Sequence, residues 1–269
     1  MKCYAVFGQP IAHSLSPRIH AAFAAQAGIA LEYRAIEAGR DAFADALAAF
    51  ARAGGVGANI TSPLKQDALE LCRSASERAR RCGSVNTLVR EGDGWHGDST
   101  DGVGLLRDLA ERHAFDPAGR RVLLLGAGGA ARAVAFALVD AGVGELVLAN
   151  RTRARAEALA DALGARARAT DLGTLARAGR FDLVLDASAA SHAGGVIALP
   201  PELFDRASLA YALSYGAPAR GFLESARAAG AGRCVDGLGM LVEQAAEAFS
   251  CWHGLRPRTQ PVHAALHAG

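Results

Sequence analysis

Residues Arg121 to Val134 read RVLLLGAGGAARAV, and this stretch limits the possible fold more than any other. Val122 to Leu125 is an apolar run of strand length. Gly126, Ala127, Gly128, Gly129 and Ala130 come at once after it, and an Ala-rich helical pattern continues to Ala141. Strand, Gly-rich turn and helix in that order predict a βα unit whose backbone turns sharply and offers free N–H groups at the helix start. Gly126 and Gly128, with Ala131 at the third small position, fit the dinucleotide fingerprint. A βα turn made of small residues only for close packing would look the same, so the reading depends on the residues after the next strand.

That next apolar run, Glu145 to Ala149, ends in Asn150, Arg151, Thr152, Arg153 and Arg155. An NAD-binding unit usually carries Asp or Glu here to hold the ribose 2′-hydroxyl. With no carboxylate to repel it and guanidinium forks to bind it, a 2′-phosphate suits this segment, so NADP(H) is the expected cofactor.

At 269 residues the chain is long enough for one large domain or two ordinary ones. A net charge of +2, with arginines scattered along the chain, predicts neither nucleic-acid nor membrane partners. The first residues, MKCYAVFGQP, lack the long apolar core of a secretory signal, so a cytoplasmic location is expected. Cys3, Cys72, Cys82, Cys234 and Cys251 include no C-x-x-C pair, and the histidines form no H-E-x-x-H stretch. Neither a disulfide framework nor a metal site is expected. Of 29 basic residues only Lys2 and Lys65 are lysines, leaving 29 − 2 = 27 arginines. A lysine at 65 in such a chain suggests a group that must be able to give up its proton, which Arg cannot do near neutral pH.

From the N-terminus, Cys3 to Gly8 reads as a strand, and Ser16 as the N-cap of a helix whose first residue is Pro17. Ser14 and Ser16 stand on a turn after that strand, where two hydroxyls can bind a small carboxylate. A second strand is expected over Leu31 to Ile36 and a helix over Asp41 to Ala53. Val56 to Thr61 reads as a buried strand, with Ser62 as N-cap, Pro63 as first helical residue and Lys65 as third. A cation there opposes the helix dipole, which makes Lys65 an acid/base candidate. One helical stretch ending near Cys82 is expected, then a hairpin turning at Gly92-Asp93-Gly94, with Asn86 and Asp101 bracing turns. A helix over Gly102 to Arg112 and a linker over His113 to Gly119 lead to the dinucleotide unit. Phe181 to Asp186 and Ser208 to Leu213 read as further strands. A Gly-rich turn over Gly237 to Met240 precedes a helix over Leu241 to Trp252.

An ordered series of stretches then carries a resemblance. It comprises Ile11-Ala12-His13-Ser14-Leu15-Ser16-Pro17, Gly57-Ala58-Asn59-Ile60-Thr61-Ser62-Pro63-Leu64-Lys65, Ser84-Val85-Asn86-Thr87, Asp98-Ser99-Thr100-Asp101-Gly102, Gly126 to Ala130, Asn150-Arg151-Thr152 and Asp236-Gly237-Leu238-Gly239-Met240. Over essentially its whole length the chain resembles the shikimate dehydrogenase family. The resemblance implies an α/β protein of two domains. Residues 1–101 and 237–269 would form a substrate domain and 102–236 an NADP-binding Rossmann domain, with the last helices returning to the first. It also implies reversible reduction of 3-dehydroshikimate to shikimate by NADPH, in a monomer or homodimer. Lys65 matches the catalytic lysine and Asp101 its partner. Ser14 and Ser16 match residues around the substrate carboxylate. Asn59, Thr61 and Asn86, with Tyr215 and Gln244, match further substrate contacts. Gly126, Ala127, Gly128, Gly129 and Ala130, with Asn150, Arg151, Thr152 and Arg155, match the NADP site, to which Glu77, Leu213 and Gly237 would add.

Asp186-Ala187-Ser188-Ala189 stands where the family usually reads Asn-Ala-Thr-Ser, and Ala212 stands where it usually has Asp. A relative acting on quinate or an aminated analogue, or a non-catalytic NADP(H)-binding regulator on the same fold, are the alternatives.

Overall fold

A computed structural model describes residues 1–188 and 197–267, in which the chain divides into two units, Met1–Leu105 with Leu241–Gly269, and Leu106–Met240.

In the first unit β1 (Lys2–Gly8) leads to α1 (Ser16–Ala27), β2 (Leu31–Glu37), α2 (Arg40–Arg52) and β3 (Gly55–Ile60). Two short helices, α3 (Lys65–Glu70) and α4 (Glu77–Cys82), are separated by the two-residue strand β4 (Ser74–Ala75). The hairpin β5 (Thr87–Glu91) and β6 (Gly94–Asp98) comes next, and then α5 (Asp101–His113). These strands make one sheet in the order β2-β1-β3-β5-β6-β4. β1 runs parallel to both β2 and β3, while β5 is antiparallel to its neighbours β3 and β6. Being buried on both faces, β1 reads as a continuous apolar run. One face packs Phe7 and Ile60 against Phe43, Leu47 and Phe50 of α2.

The second unit is a parallel sheet. β7 (Arg121–Leu125), α6 (Gly129–Asp140), β8 (Glu145–Ala149), α7 (Arg153–Leu163) and β9 (Ala167–Thr170) run outward from the centre to one side. β10 (Leu183–Asp186), β11 (Leu209–Ala212), α8 (Arg220–Ala228) and β12 (Arg233–Val235) build the other. The order β12-β11-β10-β7-β8-β9 is that of a Rossmann sheet. The turn after β7 therefore lies at the point where the winding reverses, between β7 and β10. Gly126 there has φ +115°, and a Cβ on it would sit 2.6 Å from the carbonyl oxygen of Ala187, after β10. No larger residue fits that turn. The chain ends with α9 (Leu238–His253) and α10 (Gln260–His267). On the first unit's other face, Val242 and Phe249 of α9 and Val262 of α10 meet Ile19 and Phe23 of α1.

Several local expectations are corrected. His113–Gly119 lies inside the second unit, and the chain crosses between units within α5 and again within α9. Buried Leu105 and Leu109 continue one helical stripe, so α5 has no reason to break earlier. The expected turn at Gly237 to Met240 is already helical from Leu238. The stretch to Cys82 holds two helices because β4 pairs with β6 between them. No described helix is long and apolar enough to cross a membrane, and among the described residues none of the five cysteines is in a disulfide.

Asp108, fully buried on α5, accepts from the Tyr211 hydroxyl at 2.6 Å and pairs with Arg112 at 3.0 Å. Gly239 packs so closely that any Cβ would collide with the Asp108 carboxylate. A Gly239→Ala variant is predicted to lose about 2 kcal/mol or more of stability, read as a lowered Tm in a thermal melt. A Tm equal to the parent's would contradict this packing.

Candidate active site

Lys65 is placed by a turn and not by the N-cap expected at Ser62. The Leu64 N–H donates to the Thr61 carbonyl at 3.0 Å, buried Leu64 is the capping residue, and Lys65 is the first residue of α3. Its Nζ donates to Asp101 Oδ2 at 2.5 Å, and the two side chains are 14% and 5% exposed. Asp101 opens α5, where the helix dipole favours a carboxylate. A nearly buried pair of this kind is held by its hydrogen bonds, and removing either partner would strand the other's charge.

Asn86 ties this pair to its surroundings. Its Nδ2 lies 3.0 Å from Asp101 Oδ1, 2.8 Å from Thr100 Oγ1 and 3.0 Å from Gln244 Oε1 on α9. Its Oδ1 accepts the Thr100 N–H at 2.7 Å and the Thr87 hydroxyl at 3.2 Å. Asn59 Nδ2 donates to the Asn86 carbonyl at 3.1 Å and to Thr87 Oγ1 at 3.2 Å, while its Oδ1 accepts the Tyr33 hydroxyl at 2.7 Å. The amide protons of Asn59 are thus used within the protein, which leaves Oδ1 as its only group with spare capacity. Lys65, Asp101, Asn86, Asn59 and Gln244 all belong to this one cluster. Thr87, Thr100 and Tyr33 belong to it too and do not stand out in the sequence. The two threonines lie inside quoted motifs, whereas nothing near Tyr33 signals its partner.

Ser14 and Ser16 keep company in a different way than expected. Ser16 is the first residue of α1 and makes no cap; Ser14 Oγ accepts the Ser16 N–H at 3.3 Å. Because that bond uses the Ser14 oxygen as acceptor, its hydroxyl proton is free to donate. Thr61 is half-buried at the end of β3, and its N–H donates to the Phe7 carbonyl at 2.8 Å. Glu77 is exposed on the first turn of α4. Its neighbour Arg78 forms a two-pronged bond to Asp98, Nε to Oδ1 at 2.7 Å and Nη2 to Oδ2 at 2.5 Å. Asp98 also accepts the Ser76 hydroxyl at 2.5 Å and the Ser99 N–H at 2.7 Å. This fixes the end of β6 just before Thr100 and Asp101.

In the second unit, Gly128 is the N-cap of α6 and no side chain caps that end, so the N–H groups of Gly129 and Ala130 stand at an uncapped helix start. Ala127 and Ala130 are half-buried. Asn150 Nδ2 donates to the Thr152 carbonyl at 2.9 Å, which shapes the turn before α7. Arg151, Thr152 and Arg155 are exposed, and α7 has no acidic residue in its first turn. Arg153 instead pairs with Glu157 at 2.7 Å and Asp171 at 2.5 Å. A side-chain-free turn, an open helix start and exposed arginines suit a dinucleotide with a 2′-phosphate. The Leu213 N–H donates to the Asp186 carbonyl at 2.8 Å, and the Gly237 N–H to the Ser214 carbonyl at 2.9 Å. Tyr215 is half-buried nearby in sequence, beyond β11. The buried Asp186 carboxylate accepts the Ser188 N–H at 2.9 Å, so it caps its own turn; Ala189 lies outside the described residues. Among the described residues no group of three or more His, Cys, Asp and Glu side chains is placed to hold a metal. His263 and His267, four apart on α10, meet ring to ring at 4.5 Å.

Family models match three segments: the shikimate dehydrogenase substrate binding domain over residues 6–88, shikimate / quinate 5-dehydrogenase over 108–194, and the shikimate 5′-dehydrogenase C-terminal domain over 237–267. The chain is 54% identical over 269 residues to a shikimate dehydrogenase (NADP(+)) of Stenotrophomonas maltophilia strain R551-3, covering 99% of this chain and 96% of the relative. It is 55% identical to the protein of that name from Xanthomonas campestris pv. campestris strain B100, covering 98% and 95%. Among solved structures, an Ael1 enzyme from Pseudomonas putida superposes with a TM-score of 0.90 at 43% identity, covering 99% of this chain and 98% of that one. Shikimate 5-dehydrogenase from Thermus thermophilus in complex with NADP(H) and shikimate superposes with a TM-score of 0.85 at 35% identity, covering 100% and 99%.

The clamp before Asp101 is sensitive to acid. Burial alone would raise the Asp98 carboxyl, but Arg78, Ser76 and the Ser99 N–H outweigh it and bring it down to about 2. The folded value lies below the unfolded one of roughly 4. Its stabilisation is therefore complete above the unfolded value and is lost as pH falls toward the folded one. Urea unfolding at neutral pH and in this acid range is predicted to show a larger loss for the parent than for Asp98→Asn. Equal losses would contradict the assignment.

Proposed function

The chain belongs to the shikimate dehydrogenase family, and on that footing we propose that it reversibly reduces 3-dehydroshikimate to shikimate with NADPH. The observation that carries the reading is the nearly buried Lys65–Asp101 pair, joined through Asn86 to Gln244. NADPH, when bound, supplies the hydride. As the ketone is reduced, negative charge grows on its oxygen, and the Lys65 ammonium stabilises that charge and donates the proton. The Asp101 carboxylate accepts from the ammonium and fixes where it points. In the reverse direction neutral Lys65 takes the proton of the shikimate hydroxyl.

Ser14 has its hydroxyl proton free for the substrate carboxylate, and Ser16 stands beside it. Thr61, Asn86, Gln244 and Tyr215 contact the ring hydroxyls, and Asn59 serves there as an acceptor. Hydrogen-bonding groups of this kind select among polyols far better than an apolar pocket would. Gly126 to Ala130 hold the diphosphate, and Asn150, Arg151, Thr152 and Arg155 hold the 2′-phosphate. Glu77, Leu213 and Gly237 complete the cofactor contacts. The enzyme works in the cytoplasm on small molecules, as a monomer or homodimer.

The test monitors formation of reduced nicotinamide by its absorbance, with shikimate or quinate as substrate and NADP or NAD as cofactor. Turnover with shikimate and NADP, and far slower turnover in the other wells, is expected. Preference for quinate, or no turnover in any well, would overturn the reading. Arg151→Ser and Arg155→Ser are predicted to raise KM for NADP by about tenfold while leaving KM for shikimate unchanged. Equal shifts in both constants would contradict the assignment of these arginines.

A further inference from the structure

His20 is fully buried, yet neither ring nitrogen has a hydrogen-bond partner. Phe in its place would avoid leaving a donor and an acceptor unpaired, so the imidazole must be accounted for by its other contacts. It sits one helical turn after Ser16 on α1, on the same face. Its ring lies flat on Tyr33, with centroids 4.5 Å apart and planes 7° from parallel, and it is walled by Phe23, Phe249 and Trp252. Burial outweighs the nearby Asn59 amide and, helped by His253, brings His20 down to about 3, so the ring is neutral at working pH. Burial also pushes the Tyr33 phenol well above its ordinary value, against the effect of Ser16, so Tyr33 keeps its proton and remains a donor.

Tyr33 stands on β2 and Asn59 on β3, with β1 between them. The phenol crosses over β1 to donate to Asn59 Oδ1 at 2.7 Å. From there the bonds continue: Asn59 Nδ2 to the Asn86 carbonyl at 3.1 Å, Asn86 Nδ2 to Asp101 Oδ1 at 3.0 Å, and Lys65 Nζ to Asp101 Oδ2 at 2.5 Å. A long side chain reaching across a strand must be held at a fixed angle to end on one acceptor. A flat ring stacked beneath it does this without competing for the hydroxyl, whereas a second phenyl ring laid face to face is disfavoured by its quadrupole.

We infer that His20 and Tyr33 are positioning residues for the proposed reaction: the His20 ring sets the angle at which the Tyr33 hydroxyl holds Asn59, and through Asn59 and Asn86 it sets the placement of Asp101 and Lys65. The inference rests on the function proposed above. Neither residue touches the reacting atoms.

The test compares the parent with Tyr33→Phe, His20→Phe and the double variant, all of which keep an aromatic ring at each place. Steady-state constants are measured for shikimate and for NADP, with thermal melts alongside. Tyr33→Phe and His20→Phe are each expected to lower kcat/KM for shikimate by about tenfold, the scale of one buried hydrogen bond, with KM for NADP unchanged. The double variant is expected to be no worse than the poorer single one, because both act through the same bond. Parent-like constants in Tyr33→Phe, or additive losses in the double variant, would overturn the inference, even if Tm falls. A parent that does not turn over shikimate would instead overturn the proposed function, and this inference with it.

Discussion

Asn86 is only 2% exposed, so the donors and acceptor of its side-chain amide need partners inside the protein. That requirement organises the first unit around the candidate site. The residue's backbone is already committed: its N–H donates to the Asp98 carbonyl at 3.0 Å, and its carbonyl accepts the Ile60 N–H at 2.8 Å. With the main chain pinned between β3 and β6, the side chain has one direction in which to point. Thr100, Asp101 and Gln244 satisfy it there, so a strand end, a helix start and a late helix meet at one place. A partly satisfied network of this kind would be worse than an apolar core, and this one closes.

Lys65 gains its geometry from the same arrangement. The turn from Thr61 to Leu64 delivers it at the start of α3, where a cation is disfavoured by the helix dipole. Asp101 offsets that cost, and Asn86 and the start of α5 hold Asp101 in turn. Arg78 and Asp98 brace the strand that precedes Asp101, so the Lys65–Asp101 pair is backed by a second ion pair. The second unit obeys a separate logic. Its inner strands β7, β8, β10 and β11 are buried, and its order places the Gly-rich turn at the switch point.

How legible each feature is in the sequence depends on how local its signal is. The apolar run at Val122 to Leu125 with its glycines is a local pattern, and the strand, turn and helix lie where it says. Helix starts mislead at Ser16 and Ser62, where a serine before proline suggests a cap. In the fold Ser14 takes the N–H of Ser16, and a turn at Thr61 to Leu64 comes before α3. The strand β4 is two residues long and exists only because β6 is beside it, so no periodicity could show it. Lys65, Asp101 and Asn86 stand out because their neighbours form recognisable stretches. Tyr33, His20, Arg78 and Asp108 do not, since each is defined by a partner far away in the chain: Asn59, Tyr33, Asp98 and Tyr211.

The central claim is that Lys65 transfers the proton and Asp101 holds it ready. The direct measurement is single-turnover reduction of 3-dehydroshikimate by NADPH in the parent and in Lys65→Gln, with shikimate affinity measured calorimetrically on the same preparations. The account predicts that the substitution slows turnover by about a thousandfold, within the range of general acid catalysis, while affinity changes by less than about tenfold. Turnover within a few-fold of the parent's, with substrate bound, would contradict it.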